Sequence, residues 1–380
     1  MPIAPPPLGG LSPKAFLRDY WQKRPLLVRQ AVPGFGGFAD RRTLVALATS
    51  DAADSRLIER TPVWRVTHGP IDQRAFARLP DRNWTLLVNG LNLHSAEADA
   101  LLARFSFVPW TRLDDVMVSH AMDGGGVGPH VDSYDVFLLQ GPGRRRWRLM
   151  PPRSDGTPFR AVANAPLKLI AGFKPTQDIT LEPGDMLYLP PGWGHDGVAI
   201  GTCQTYSIGF RAPGGAELSA AFLDFLHERG FKDLPYSDPD RKPTAHPARL
   251  DAHLIDHALD ALNGIRWSRA TVAEFLARHL SEPKQYVVFD GPRRPMGLAA
   301  FLRKLPGAHV RLDSRSRMLT CGSNVYINGA GTRPTARARA VLSELADKRE
   351  VQGGHVARVG AGELLYDWYR QGFLHLARER

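Results

Sequence analysis

The chain has 380 residues, of which 43% are hydrophobic, and only two cysteines, Cys203 and Cys321. That length allows two or three domains with a sizeable core and excludes global disorder, and so few, widely spaced cysteines exclude a disulfide scaffold or a structural zinc site and point to a reducing cytoplasm. The net charge is +11, and residues 269–380 hold 19 Lys+Arg against 10 Asp+Glu, so the C-terminal third suits either an RNA-like acidic partner or simply a basic, solvated surface.

The opening Met1-Pro2-Ile3-Ala4-Pro5-Pro6-Pro7 lacks a basic segment followed by an apolar one, so no signal peptide is expected, and no run reaches the ~18 apolar residues of a membrane span. Residues 11–20 read as a helix, with Ser12 as N-cap, Pro13 in the first turn, and Phe16, Leu17 and Tyr20 at helical spacing. A strand over 25–28 and a helix over 40–48 follow.

From Thr61 to Phe210 short β-rich runs alternate with Gly/Pro punctuation. Strands are expected over 63–66, 85–88, 115–119, 134–139, 146–149, 178–181, 186–189 and 205–210, the pattern of an all-β sandwich or barrel. Residues 211–215 form a boundary. Helices are expected over 217–229 and 247–262, joined by a Pro/Asp-rich stretch over 234–243. So short a pair needs a docking surface, for which a second copy of the chain is a candidate. The remainder is mixed: helices over 271–280, 296–305, 337–348 and 362–371, and a strand near 318–327.

The chemistry centres on Gly128-Pro129-His130-Val131-Asp132. On a strand, residues two apart share a face, so His130 and Asp132 can offer one imidazole nitrogen and one carboxylate oxygen to a single ion. The segment from Glu182 to His195 reads as a turn, a strand and a rigid Pro190-Pro191 exit that fixes His195 just past the strand end as third ligand. Two histidines and one carboxylate leave three positions open, the arrangement of non-haem iron(II) enzymes that bind a chelating cosubstrate and dioxygen. A bare His-x-Asp occurs by chance on surfaces; the spacing to His195 sets this one apart. His120 lies near the site in sequence, but the pattern does not fix which way it points.

Gln140-Gly141-Pro142-Gly143 reads as a tight hairpin connection. On the strand beyond it, Arg145 shares a face with Trp147 and Leu149, while Arg144, Arg146 and Arg148 take the other. Arg145 alone among the four is expected inside, where a guanidinium needs a carboxylate. The distal carboxylate of 2-oxoglutarate or an internal Asp or Glu meets that need.

These residues carry a resemblance. The run Gly124-Gly125-Gly126-Val127-Gly128-Pro129-His130-Val131-Asp132-Ser133-Tyr134-Asp135-Val136-Phe137 is similar to the core of the bacterial JmjC-type ribosomal oxygenases. So are residues 143–147, residues 187–195 and the opening residues 16–27. The resemblance covers nearly the whole chain. It implies a mainly β plus α protein: a catalytic double-stranded β-helix (cupin/JmjC, 1–212), a helical dimerisation segment (213–268) and a winged-helix-like C-terminal domain (269–380). It implies Fe(II) on His130, Asp132 and His195, with 2-oxoglutarate and dioxygen as cosubstrates. Arg145 matches the arginine that holds the distal carboxylate, and Ser119 a serine near it. Family members often also carry serine where Ala121 stands here. Ser207, Tyr134 and Asp123 match substrate-side positions, with Asp123 equally suited to capping the glycine loop. The activity implied is hydroxylation of an arginine in a basic large-subunit ribosomal protein, number sixteen, in the cytoplasm. Alternatives are a JmjC-type protein demethylase and a non-catalytic metal-binding barrel with an RNA-binding tail.

Overall fold

The computed structural model describes residues 4–60, 63–231 and 235–378. The chain start 1–3 and the boundaries placed at Thr61 and Leu234 lie outside them. Two compact units emerge: Met1–Ala212 with Pro283–Ser316 and Glu344–Arg380, and Pro213–Glu282 with Arg317–Ser343.

In the first unit twelve strands build two facing sheets: β1 (Leu26–Val28), β2 (Ser55–Glu59), β3 (Arg65–His68), β4 (Trp84–Val88), β5 (Leu113–Ala121), β6 (His130–Val131), β7 (Val136–Gln140), β8 (Arg144–Met150), β9 (Gln177–Leu181), β10 (Met186–Leu189), β11 (Gly194–Ile200) and β12 (Cys203–Phe210). The larger sheet runs β1-β10-β7-β12-β5-β4-β2-β3 and the smaller β6-β11-β8-β9, all antiparallel. This is a double-stranded β-helix. Alternation along each strand sends one set of side chains outward and one inward. The outward set of the larger sheet, with Val118, Leu139, Tyr206 and Met186, packs on helices Pro13–Asp19, Arg41–Ala48 and Ala96–Ala103 through Phe16, Leu44 and Leu101. Burying each such side chain is worth roughly 1.5–3 kcal/mol. Two of these helices start as their sequences dictate: Ser12 accepts from the Ala15 N–H at 3.2 Å and Asp40 from the Thr43 N–H at 2.8 Å. The inward set, Leu138, Leu187 and Leu189 against Trp147, Leu149 and Leu181, fills the space between the sheets.

Three expectations are corrected. Gln140–Arg144 is no hairpin, because β7 and β8 belong to different sheets. The Gly-Pro-Gly turn instead carries the chain from one sheet to the other, and Gly143 at φ +74° passes so close to the Thr202 carbonyl that a Cβ would lie 2.1 Å from it. His195 does not follow a strand end. It is the second residue of β11, which the Gly-rich sequence Gly192–Gly197 concealed. The strand expected near 318–327 is a hairpin of Met318–Cys321 and Asn324–Ile327, turned at Gly322 with φ +59°.

In the second unit helix Gly215–Glu228 packs Phe222, Phe225 and Leu226 on Phe275 of helix Arg269–Ser281. Helix Ala252–Asn263 buries none of its residues, and Leu254, Ile255, Leu259 and Leu262 are exposed along it. Among the described residues no helix is long and apolar enough to cross a membrane.

Candidate active site

The antiparallel register places His195 of β11 directly opposite His130 of β6. Residues opposite each other share a face, and the two imidazole centroids come within 4.2 Å. Asp132, one residue beyond β6, turns its carboxylate to both: Oδ1 lies 3.9 Å from His130 Nε2 and Oδ2 3.6 Å from His195 Nε2. One ligand atom from each of the three lies within 4.8 Å of the others, the geometry of a shared ion.

The tautomers suit a metal. His130 Nδ1 sits 2.9 Å from the Gly128 carbonyl and His195 Nδ1 3.0 Å from the Trp193 carbonyl. A carbonyl only accepts, so each Nδ1 carries the proton and each Nε2 presents its lone pair. In both cases the carbonyl comes from the residue two before the histidine. Burial, reinforced by neighbouring His130 and opposed by Asp132, depresses the His195 imidazolium to about 4, so the ring is neutral, as a ligand must be. Two nitrogens and one carboxylate from one side fit iron(II) with open positions.

Along the inner face of the smaller sheet, Leu149 pairs with His195, Trp147 with Gly197 and Arg145 with Ala199. Arg145 is 4% exposed, and its Nε and Nη2 have no hydrogen-bond partner among the described residues. An internal carboxylate therefore does not satisfy it. Its neighbours on the other face are paired: Arg146 with Asp178, and Arg148 with Asp196. About 13 Å of strand separates Arg145 from Leu149, the residue opposite His195. The wall between is Trp147, whose ring centroid is 5.9 Å from both the His195 ring and the Arg145 guanidinium carbon. Gly197 makes room for it, since a Cβ there would lie 2.6 Å from the indole. Sequence reasoning assigned no role to Trp147 or Gly197; a glycine opposite a tryptophan is legible only once the register is known.

Ser119, Thr205 and Gln140 form one cross-strand row on the inner face of the larger sheet, and Met117, Ser207 and Leu138 the next. Ser119 Oγ donates to the Thr205 carbonyl at 3.4 Å. Ser207 is buried. His120 faces the opposite way, toward the helices, beside Trp84 and Gln204. Tyr134 is 38% exposed, and burial of its hydroxyl beside the Asp132 carboxylate raises it above the usual phenol range. Asp123 stands apart from this interior: its carboxylate pairs with Arg82 at 2.9 Å and accepts the Gly201 N–H at 2.9 Å. A cavity of about 460 Å³ opens beside Asp132, lined also by Ser133, Gly192, Arg153, Arg160 and Lys168.

Such a donor set between the two sheets of a double-stranded β-helix is that of the cupin-type, metal-dependent oxygenases. A JmjC domain model matches residues 100–218 and a ROXA-like winged-helix model residues 264–375. The chain is 35% identical over 323 residues to the ribosomal protein uL16 3-hydroxylase of Escherichia coli, covering 83% of each. It is 37% identical over 206 residues to a probable ribosomal oxygenase of Haemophilus influenzae, covering 53% of this chain and 50% of that one. The X-ray structure of E. coli ycfD superposes with a TM-score of 0.82 at 31% identity, over 97% of this chain and 98% of that one. A structure of the same E. coli protein, a ribosomal oxygenase in complex with cobalt and 2-oxoglutarate, gives 0.79 at 30% identity, over 97% and 98%. The chain belongs to the JmjC-domain ribosomal oxygenases, with a winged-helix domain following the catalytic one.

Proposed function

We propose that this protein is an iron(II)- and 2-oxoglutarate-dependent hydroxylase of a large-subunit ribosomal protein, acting on an arginine of protein sixteen. The observation that carries the reading is the pairing of an open His130–Asp132–His195 triad with a buried, unmatched Arg145 on one inner face. The relatives named for uL16 hydroxylation and ribosomal oxygenation supply the substrate class.

His130, Asp132 and His195 would hold the iron. When bound, iron with dioxygen supplies the power to insert one oxygen atom into an unactivated C–H bond while 2-oxoglutarate becomes succinate and carbon dioxide. The chain's own residues orient and exclude. Gly128 and Trp193 carbonyls fix the imidazole planes. Arg145, aided by Ser119, fixes the distal carboxylate and so the direction of the keto acid. Trp147 and the leucines keep the interior dry. Ser207 and Tyr134 are the substrate contacts; Asp123, held by Arg82 and the Gly201 N–H beside the glycine loop, serves that loop and not the substrate.

In this reading residues 1–212 are catalytic, 213–268 join two copies through the exposed stripe of helix Ala252–Asn263, and 269–380 form the winged-helix domain. The protein then works in the cytoplasm, where ribosomal proteins are made. The basic C-terminal domain contacts RNA. Loss of RNA association after deletion beyond Arg269, with catalysis retained, supports that contact, and a monomeric mass in light scattering removes the dimer.

The test is anaerobic reconstitution with Fe(II) and 2-oxoglutarate, then oxygen and purified ribosomal proteins. A gain of one oxygen atom in protein sixteen, located to an arginine, is expected. Formaldehyde release instead makes the enzyme a demethylase. His195→Ala is expected to abolish succinate formation; undiminished succinate would contradict the site.

A further inference from the structure

We propose that Thr85 is an additional binding residue for the distal carboxylate of 2-oxoglutarate, its hydroxyl acting together with Arg145. The inference rests on the functional reading above and deepens it.

Thr85 lies on β4, next to β5, and its Cα partner is Ala121. Ala121 in turn faces Cys203 on β12, and Ala199 faces Arg145. Ala121, Cys203 and Ala199 pack directly on one another. Thr85 and Arg145 therefore flank one seam of small side chains, at the end of the interior away from the histidines. Ala121 offers no hydroxyl. Thr85 does: the residue is fully buried, and its Oγ1 has no hydrogen-bond partner among the described residues. The glycine loop closes this end. The Gly124 N–H donates to the Ala199 carbonyl at 3.0 Å, the Ala199 N–H to the Gly125 carbonyl at 2.9 Å, and a Cβ on Gly125 would lie 3.0 Å from Thr85 Oγ1.

A hydroxyl buried without a partner loses roughly 1–3 kcal/mol of solvation, so native chains rarely leave one that nothing will satisfy. Here the unmatched hydroxyl and the unmatched guanidinium nitrogens occur at the same end of one interior. An anion there accepts from both. Ser119 differs, because its hydroxyl already has the Thr205 carbonyl. Thr85 is thus the freer of the two hydroxyls to complete the carboxylate's shell.

The test uses the full chain loaded with Mn(II) under anaerobic conditions, so that no turnover occurs. Calorimetry measures binding of 2-oxoglutarate and of 2-oxovalerate, which keeps the keto acid but lacks the distal carboxylate. Thr85→Val removes the hydroxyl at constant shape; Thr85→Ser keeps it. Thr85→Val is expected to weaken 2-oxoglutarate roughly 10- to 100-fold, the effect of losing a hydrogen bond to a charged group. Its 2-oxovalerate affinity and Mn(II) affinity stay unchanged, and Thr85→Ser recovers most of the loss. Unchanged 2-oxoglutarate affinity in Thr85→Val, or equal weakening of both keto acids, overturns the proposal. Failure of the unmutated protein to bind 2-oxoglutarate at all overturns the parent reading instead.

Discussion

Replacing Arg145 by Met separates a ligand-binding cation from a structural one. The guanidinium sits in an apolar wall with two nitrogens unmatched. Each unsatisfied buried donor costs roughly 1–3 kcal/mol, and exchanging buried charge for an apolar side chain of similar volume commonly stabilises by about 1–4 kcal/mol. Ligand-free Arg145→Met is therefore expected to unfold at a higher temperature than the unmutated protein, by roughly 2–4 °C per kcal/mol. With 2-oxoglutarate at a hundred times its Kd, the unmutated protein gains about 2.7 kcal/mol. The variant gains almost nothing, because removing one partner of a buried charged pair costs roughly 2–5 kcal/mol, from ~30-fold to several thousand-fold in affinity. Thermal unfolding of Mn(II)-loaded protein, with and without 2-oxoglutarate, reads both effects. A variant that melts several degrees lower without ligand yet is still stabilised by 2-oxoglutarate refutes the reasoning: Arg145 is then holding the fold together and not the cosubstrate.

Three further outcomes are expected. Lys284 donates to the buried Asp115 at 2.8 Å and lies 3.4 Å from Asp114; Lys284→Met is expected to cost roughly 3–5 kcal/mol in urea unfolding by leaving a buried carboxylate uncompensated. Burial already raises the Asp115 carboxyl, and Lys284 is what pulls it back down, so the deficit must narrow as the pH falls and Asp115 takes up a proton; a deficit independent of pH would show that the ion pair is not its source. Burial, helped by Arg41 and Arg145, holds the His120 imidazolium down at about 4. The unfolded chain takes up that proton near the ordinary 6.5, so stability drops as the pH falls from there toward 4, by roughly 3 kcal/mol at 1.36 kcal/mol per unit. His120→Gln should make that limb shallower, leaving the part that the equally depressed His195 contributes, and an unchanged acid limb would be the contrary result. Gly197→Ala drives a methyl to 2.6 Å from the Trp147 ring, with an expected loss of roughly 1–3 kcal/mol and weaker 2-oxoglutarate binding; a fully stable, tight-binding variant would mean that the wall yields freely.

Local chemistry in the sequence carries a good part of this protein. Period-two alternation places Arg145, Trp147 and Leu149 on one face and the other three arginines outside, because side-chain direction along a strand is a backbone property that needs no partner. Ser12 and Asp40 mark helix starts for the same reason. The spacing of His130, Asp132 and His195 names a triad once it is matched to a family. What tertiary structure alone decides is who stands opposite whom. His195 meets His130 through a two-residue strand too short to leave a pattern, and β11 hides in glycines, of which Gly197 admits Trp147. The Gly-Pro-Gly turn resembles a hairpin locally, yet it changes sheets, since which strand a turn feeds depends on long-range pairing. His120 and Thr85 show the same limit. The parity of each is set by β5's neighbours, and only the register shows that one faces the helices while the other keeps an unspent hydroxyl at the closed end of the interior.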